Sequence, residues 1–132
     1  MARPKHEGPT PGELAVLRVL WDRGPSTVRE VLEILNRKRK RAYTSVMSLM
    51  DVMREKGLVS RCPDGRAFRY QPTQDRDATL SGLVKDLLGR AFDGSAALLM
   101  AHLLEEAAPS EDEIDQMRKA IAAYRKKEGG KK

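Results

Sequence analysis

The turn signal Pro63-Asp64-Gly65 comes after three helical patterns, with one short apolar segment between, and few small folds have that order. The first pattern opens with Thr10-Pro11-Gly12-Glu13. Thr10 suits the cap, Pro11 the first helical position, and Glu13 the reciprocal bond to the cap's N–H. Leu14, Leu17, Leu20 and Trp21 recur behind it at helical spacing until Gly24-Pro25 ends the run. Thr27-Val28-Arg29-Glu30 repeats the capping box, and Val31, Leu32, Ile34 and Leu35 form a second apolar face before Asn36. A third stripe, Tyr43, Val46, Met47, Leu49, Met50 and Met53, begins between Arg41 and Thr44 behind the weak cap Ala42 and is closed by Gly57. On either side of the turn, "LVSRC" and "RAFRYQ" have the composition of short strands. Three helices and then a two-stranded hairpin is the winged helix-turn-helix plan, mainly α with a small β-wing. In that plan the third helix enters the major groove of DNA and the hairpin touches the backbone beside it.

The third helix carries its own argument. Opposite its apolar stripe lie Thr44, Ser45, Ser48 and Asp51, all short side chains, where a solvated helix face more often carries Glu and Lys. Five successive cations, Arg37 to Arg41, stand at its N-terminal end. The net charge of +6 is concentrated there too: residues 1–72 hold 15 Lys/Arg against 8 Asp/Glu, residues 73–132 hold 10 against 11. A basic first half suits a polyanionic partner. Arg39, Lys40, Arg41, Arg66 and Arg69 are therefore expected on phosphates, and Thr44, Ser45 and Ser48 near base edges.

Pro72 marks the expected boundary between a DNA-binding domain, 1–72, and a helical region, 73–132. The second region carries Leu80, Leu83, Val84, Leu87 and Leu88, with Gly89 after them. Asp93-Gly94-Ser95 restarts a helix bearing Leu98, Leu99, Leu103 and Leu104. Ser110 and Glu113 open a last one with Ile114, Met117, Ile121 and Tyr124 at heptad-like spacing. Three short helices this rich in leucine most simply bury that face against a second copy. Leu83, Leu87, Leu98, Leu99, Leu103, Ile114, Met117, Ile121 and Tyr124 are the expected dimerisation residues, and the basic "KKEGGKK" tail is expected to fray.

Other chemistry finds no footing. There is no nucleophile–base arrangement, phosphate-cradling glycine loop or metal-ligand spacing, so no enzyme, cofactor or metal is expected. The single cysteine, Cys62, makes neither a disulfide nor a metal cage by itself. His102 suits a packed position in its apolar helix, and Glu111, Asp112, Glu113 and Asp115 suit a helix N-terminus favoured by the dipole. No apolar run approaches the ~18 residues of a membrane span, and the first residues lack a secretory pattern, so a cytoplasmic protein with no membrane insertion is expected.

The pieces "ELAVLRVLWDRGPSTVREV", "YTSVMSLMDVMREKGLVSR" and "GRAFRYQP", in this order and spacing, resemble the penicillinase-repressor family (BlaI/MecI type) from about Thr10 to Tyr124. The resemblance implies a homodimeric repressor that sits on a palindromic operator of double-stranded DNA at promoters. It also implies release when a membrane β-lactam sensor triggers cleavage in the dimerisation region. Val52 stands where family members usually carry an arginine, a backbone contact in the family. The family's Asn-Phe cleavage bond falls near His102-Leu103. The C-terminal cysteine pairs of a copper-responsive branch are missing, which sets copper sensing aside. The alternative is a winged helix that meets an acidic protein and has no specific operator. Duplex RNA suits less well, because the A-form major groove is too narrow for a helix.

Overall fold

A computed structural model of the chain describes residues 8–129. The order is α1 (Pro11–Arg23), β1 (Ser26–Thr27), α2 (Val28–Leu35), α3 (Tyr43–Glu55), β2 (Val59–Asp64), β3 (Ala67–Pro72), α4 (Arg76–Ala91), α5 (Ala96–Ala107) and α6 (Glu111–Gly129). The chain divides into two compact units, Met1–Leu87 and Leu88–Lys132.

Local chemistry sets the helix boundaries of the first unit. Thr10 N–H donates to Glu13 Oε1 at 2.9 Å and Glu13 N–H to Thr10 Oγ1 at 3.2 Å, and Thr27 and Glu30 repeat both distances. Both expected capping boxes are closed. Helix α3 ends in a Schellman turn: Gly57 N–H donates to Arg54 C=O at 3.0 Å and Leu58 N–H to Met53 C=O at 2.9 Å. Gly57 takes φ 83°, a left-handed conformation that glycine adopts without Cβ strain. Ala42 makes no side-chain cap at the start of α3. That omission forgoes roughly 1 kcal/mol, whereas burying Val46, Met50 and Met53 contributes about 1.5–3 kcal/mol each. Packing therefore decides that α3 forms.

Val16, Leu17 and Leu20 of α1, Val31 and Leu35 of α2, Val46, Met50 and Met53 of α3, Val59 of β2 and Tyr70 of β3 share one core. Trp21 packs at its edge and donates from Nε1 to Gln74 C=O at 3.1 Å. The neighbouring Asp22 carboxylate holds Arg76 at 2.7 Å. These two contacts fasten the start of α4 to α1, so the first unit runs on past Pro72 to Leu87.

The expected hairpin is present, with Asp64 opposite Ala67 and a two-residue turn at Gly65-Arg66. Strand β2 runs through Pro63 and Asp64, so the turn lies beyond the Pro-Asp pair. Gly65, at φ 64°, occupies the first central position, where a II′ hairpin requires a positive φ. A third strand joins it: Ser26 pairs with Tyr70 and Thr27 with Arg69, giving the antiparallel order β1-β3-β2. A two-residue strand whose second residue, Thr27, also caps α2 is too short to show a period-2 pattern.

In the second unit Ser95 caps α5, accepting from Leu98 N–H at 3.0 Å. The preceding turn holds Asp93 at φ 49° and Gly94 at φ 77°. Helix α4 continues through Gly89 to Ala91. Helix α6 continues through Lys126 and Lys127 to Gly129, where the tail was expected to fray, and residues 130–132 lie outside the described ones. Among the described residues no single helix is long and apolar enough to cross a membrane.

Candidate nucleic-acid interface

Helix α3 buries Val46, Met50 and Met53 and turns Thr44 and Ser48 to solvent. The two hydroxyls are one turn apart, so they form a short row on one face. Tyr43 and Met47, expected in the core stripe, are instead exposed, at 40 % and 42 %. The core is already filled by three residues of α3, and the apolar stripe of the sequence is wider than the surface α1 and α2 offer it. Tyr43 holds the Arg29 guanidinium 5.2 Å over its ring, which adds to this end of α3 a cation from α2 that sequence reading missed.

The segment between α2 and α3 presents the cations. Arg39 and Lys40 are exposed and have no ionic partner among the described residues. Arg41 is half-buried, and its Nε has no hydrogen-bond partner among the described residues. Its backbone N–H donates to Asn36 Oδ1 at 2.7 Å, which closes the loop and aims the run at the start of α3. That role of Asn36 could be found in the sequence only as an Asn just past a helix end. Arg39, Lys40, Arg41, Ala42 and Ser45 line one cleft of about 610 Å³ with the first turn of α1. Ser45 thus belongs with the cations, apart from the row of Thr44 and Ser48. Ala42 leaves the first amides of α3 without a side-chain cap, so this cleft joins positive side chains to a helix N-terminus, the arrangement that holds a phosphate.

The two wing arginines separate. Arg66, at the tip, is exposed and has no ionic partner among the described residues. Arg69 is turned inward: its Nη2 lies 2.7 Å from Asp64 Oδ2, and its Nη1 3.1 Å from Glu30 Oε1 and 3.2 Å from Pro25 C=O. The hydrogen bond to Asp64, with the nearby Glu30 charge, pushes its pKa further up. Arg69, expected on phosphates, has its guanidinium engaged with Asp64 and Glu30, which fixes the wing to α2. Arg61 lies 3.8 Å over the Phe68 ring and reaches Tyr70 Oη at 3.2 Å.

Two acidic groups near this face are neutralised. Arg54 Nη2 holds Asp51 Oδ1 at 2.8 Å, which offsets an anion that would repel phosphates. Glu13 is 2 % exposed and meets Lys56 Nζ at 2.8 Å. Burial raises the Glu13 pKa, but hydrogen bonds from Lys56 and the Thr10 N–H outweigh it, and the net value lies below the ordinary 4.5. Glu30 is likewise lowered, by its bond from Thr27 N–H against a smaller effect of burial, with help from Arg69 and Arg23.

The second unit has a different surface. Neither α5 nor α6 has a buried residue, although α5 reads AALLMAHLLEEA. Leu98 and Leu103 of α5 are exposed at 43 % and 47 %, and Ile121 and Tyr124 of α6 also face solvent. Leu99, Ile114 and Met117 are half-buried. On the part of α4 that belongs to the first unit, Leu87 is exposed and Leu83 half-buried, and Leu80 and Val84 are exposed alongside them. Leu80, Val84 and Leu104 extend the apolar set beyond the expected residues. His102 is exposed, with its ring edge-on to Phe92 at 5.4 Å between centroids and Nδ1 3.1 Å from Leu98 O.

Two solved structures share the fold. A MarR family protein from Bacillus stearothermophilus superposes with a TM-score of 0.52 at 22 % identity, over 92 % of this chain and 76 % of the other. The transcriptional regulator Tm0710 from Thermotoga maritima gives 0.51 at 17 %, over 93 % and 80 %. In sequence, the transcriptional regulator BlaI of Mycobacterium tuberculosis is 41 % identical over 112 residues, 83 % of this chain and 80 % of that one. The penicillinase repressor of Bacillus licheniformis is 24 % identical over 118 residues, 88 % and 92 % of the two chains. The family model described as penicillinase repressor matches residues 9–123, and the chain belongs to that family of transcriptional regulators.

Proposed function

We propose that two copies of this chain bind a palindromic operator in double-stranded DNA and repress transcription from it in the cytoplasm. One observation carries the reading: α3 turns the small hydroxyls Thr44 and Ser48 outward between unpaired cations at its own N-terminus and at the wing tip. In this arrangement Arg39, Lys40, Arg41 and Arg66 grip phosphates, Ser45 sits beside them, and Thr44 and Ser48 meet base edges. Arg69 holds the wing in place.

Dimerisation through α4, α5 and α6 is supported by the bare apolar faces of those helices. It brings two copies of α3 onto half-sites spaced by whole helical turns, about 34–36 Å or multiples of it. The names of the relatives support genes of β-lactam-resistance type as targets. Release then follows from cleavage by a membrane sensor protease or an enzyme it activates. A cut at His102-Leu103 detaches α6 with Ile114, Met117, Ile121 and Tyr124 from the rest.

The test is selection by the full-length protein from a randomised duplex library. The expected outcome is a two-fold symmetric consensus bound by a dimer. Enrichment of no sequence, with binding to acidic protein surfaces instead, would favour the interaction-module alternative.

A further inference from the structure

We infer that Met47 and Val52 read thymine methyl groups, and so set part of the operator's sequence. The inference rests on the DNA-binding reading above and goes beyond it by assigning what two side chains recognise.

Up to Pro72, four large apolar residues are exposed among those described: Tyr43, Met47 and Val52, all on α3, and Phe68 on the wing. Single exposed apolar groups are ordinary on a protein surface. Three on one 13-residue helix, whose inner face is fully packed, are a concentration. Two of the four already have a partner: Phe68 carries the Arg61 guanidinium at 3.8 Å and Tyr43 carries Arg29 at 5.2 Å. Met47 and Val52, each 42 % exposed, remain as the bare apolar groups of α3.

Their places relative to the hydroxyl row matter. Met47 lies three residues after Thr44, and Val52 four after Ser48, so each adjoins a member of the row on the helix surface. A helix that lays Thr44 and Ser48 against base edges brings these two along the flanks of the same contact. Neither side chain donates a strong hydrogen bond. The major-groove edges of the bases offer hydrogen-bonding groups and one apolar group, the thymine C5-methyl. An exposed thioether and an exposed isopropyl group pressed into that groove gain only where they cover a methyl. Against a cytosine or guanine edge they would desolvate polar groups without pairing them.

The probe is the operator selected by the full-length protein, remade with uracil in place of each thymine in turn. That change removes one methyl and keeps every hydrogen-bonding group. The expected result is about fourfold weaker binding at one or two positions per half-site, the ratio equivalent to one buried methyl group. Met47→Ala should erase the thymine–uracil difference at one position and Val52→Ala at another. Met47→Leu should restore the difference. Equal binding by all the uracil operators, or a difference that survives both alanine variants, would overturn the assignment. Failure to select any sequence would overturn the DNA-binding reading, and this inference with it.

Discussion

Arg69 Nη1 lies 3.1 Å from Glu30 Oε1, and that contact ties strand β3 to the first turn of α2. Glu30 simultaneously closes its own capping box and lies 3.2 Å from Arg23 through Oε2. One carboxylate therefore joins α1, α2 and the wing. The wing is held relative to α1 and α2 by this junction as well as by the strand pairing of β1 with β3.

Arg69 and Arg66 should separate cleanly on mutation. Arg66→Ala should weaken binding to every DNA sequence alike and flatten the log–log salt slope by about one per DNA-bound copy. Arg69→Ala should lower the thermal midpoint while leaving the slope nearly intact. Anisotropy titrations at several salt concentrations, with thermal melts, measure both. A slope change for Arg69→Ala equal to that for Arg66→Ala would show that its ion pairs open to meet phosphate.

Acid should loosen the contact of α1 with the end of α3 at Glu13 and the junction of α1, α2 and the wing at Glu30. Glu13 and Glu30 have folded-state pKa values below 4.5, so each contributes stability that is present above that value and lost as pH falls through the lowered one. Denaturant unfolding from pH 6 down to about pH 3 should show a falling free energy. Glu13→Gln should be less stable at pH 6 and show a shallower fall. An unchanged pH slope in that variant would show that Glu13 titrates alike folded and unfolded.

The apolar face of the second unit is expected to make the dimer. Leu98→Asp with Leu103→Asp should give a monomer by sedimentation and weaken operator binding about 10²- to 10⁴-fold, as the second half-site ceases to be tethered. Binding to random duplex should fall less. A doubly substituted protein that stays dimeric would place the interface elsewhere.

Ser48→Phe should strike the specific site hardest. Its hydroxyl is exposed on the outer face of α3, where a ring fills space that a groove edge needs. The specific complex should lose about 1–3 kcal/mol, one mismatched contact's worth, with little change on random duplex. An equal loss on both would show that Ser48 faces backbone.

Much of this fold was readable in the chain because its signals are local. Thr10 with Glu13, Thr27 with Glu30, and Gly57 each act over a few residues, and each is found closed in the structure. What escaped depends on residues far apart in sequence. Tyr43 and Met47 carry the helical period of a core stripe, and only the packing of α1 and α2 against α3 decides that Val46, Met50 and Met53 fill the core without them. Arg69 sits in a basic wing like Arg66, and its partner Glu30 is 39 positions away. Strand β1 exists because β3 supplies its partner, not because Ser26 and Thr27 prefer a strand. The site shows the same division: the cationic run and small hydroxyls stand in the sequence, whereas Asn36 closing the loop and Arg29 over Tyr43 arise only in the folded chain.

On the proposed function, this protein grips duplex DNA through the cations around α3 and at the wing tip. The most direct test is the salt dependence of full-length protein binding to the selected operator. Four phosphate-binding cations per chain, Arg39, Lys40, Arg41 and Arg66, give a dimer a log–log slope of roughly −7. The expected slope is near that value, reduced by roughly two when both copies carry Arg66→Ala. A nearly flat dependence, with affinity unmoved by removing these cations, would contradict it.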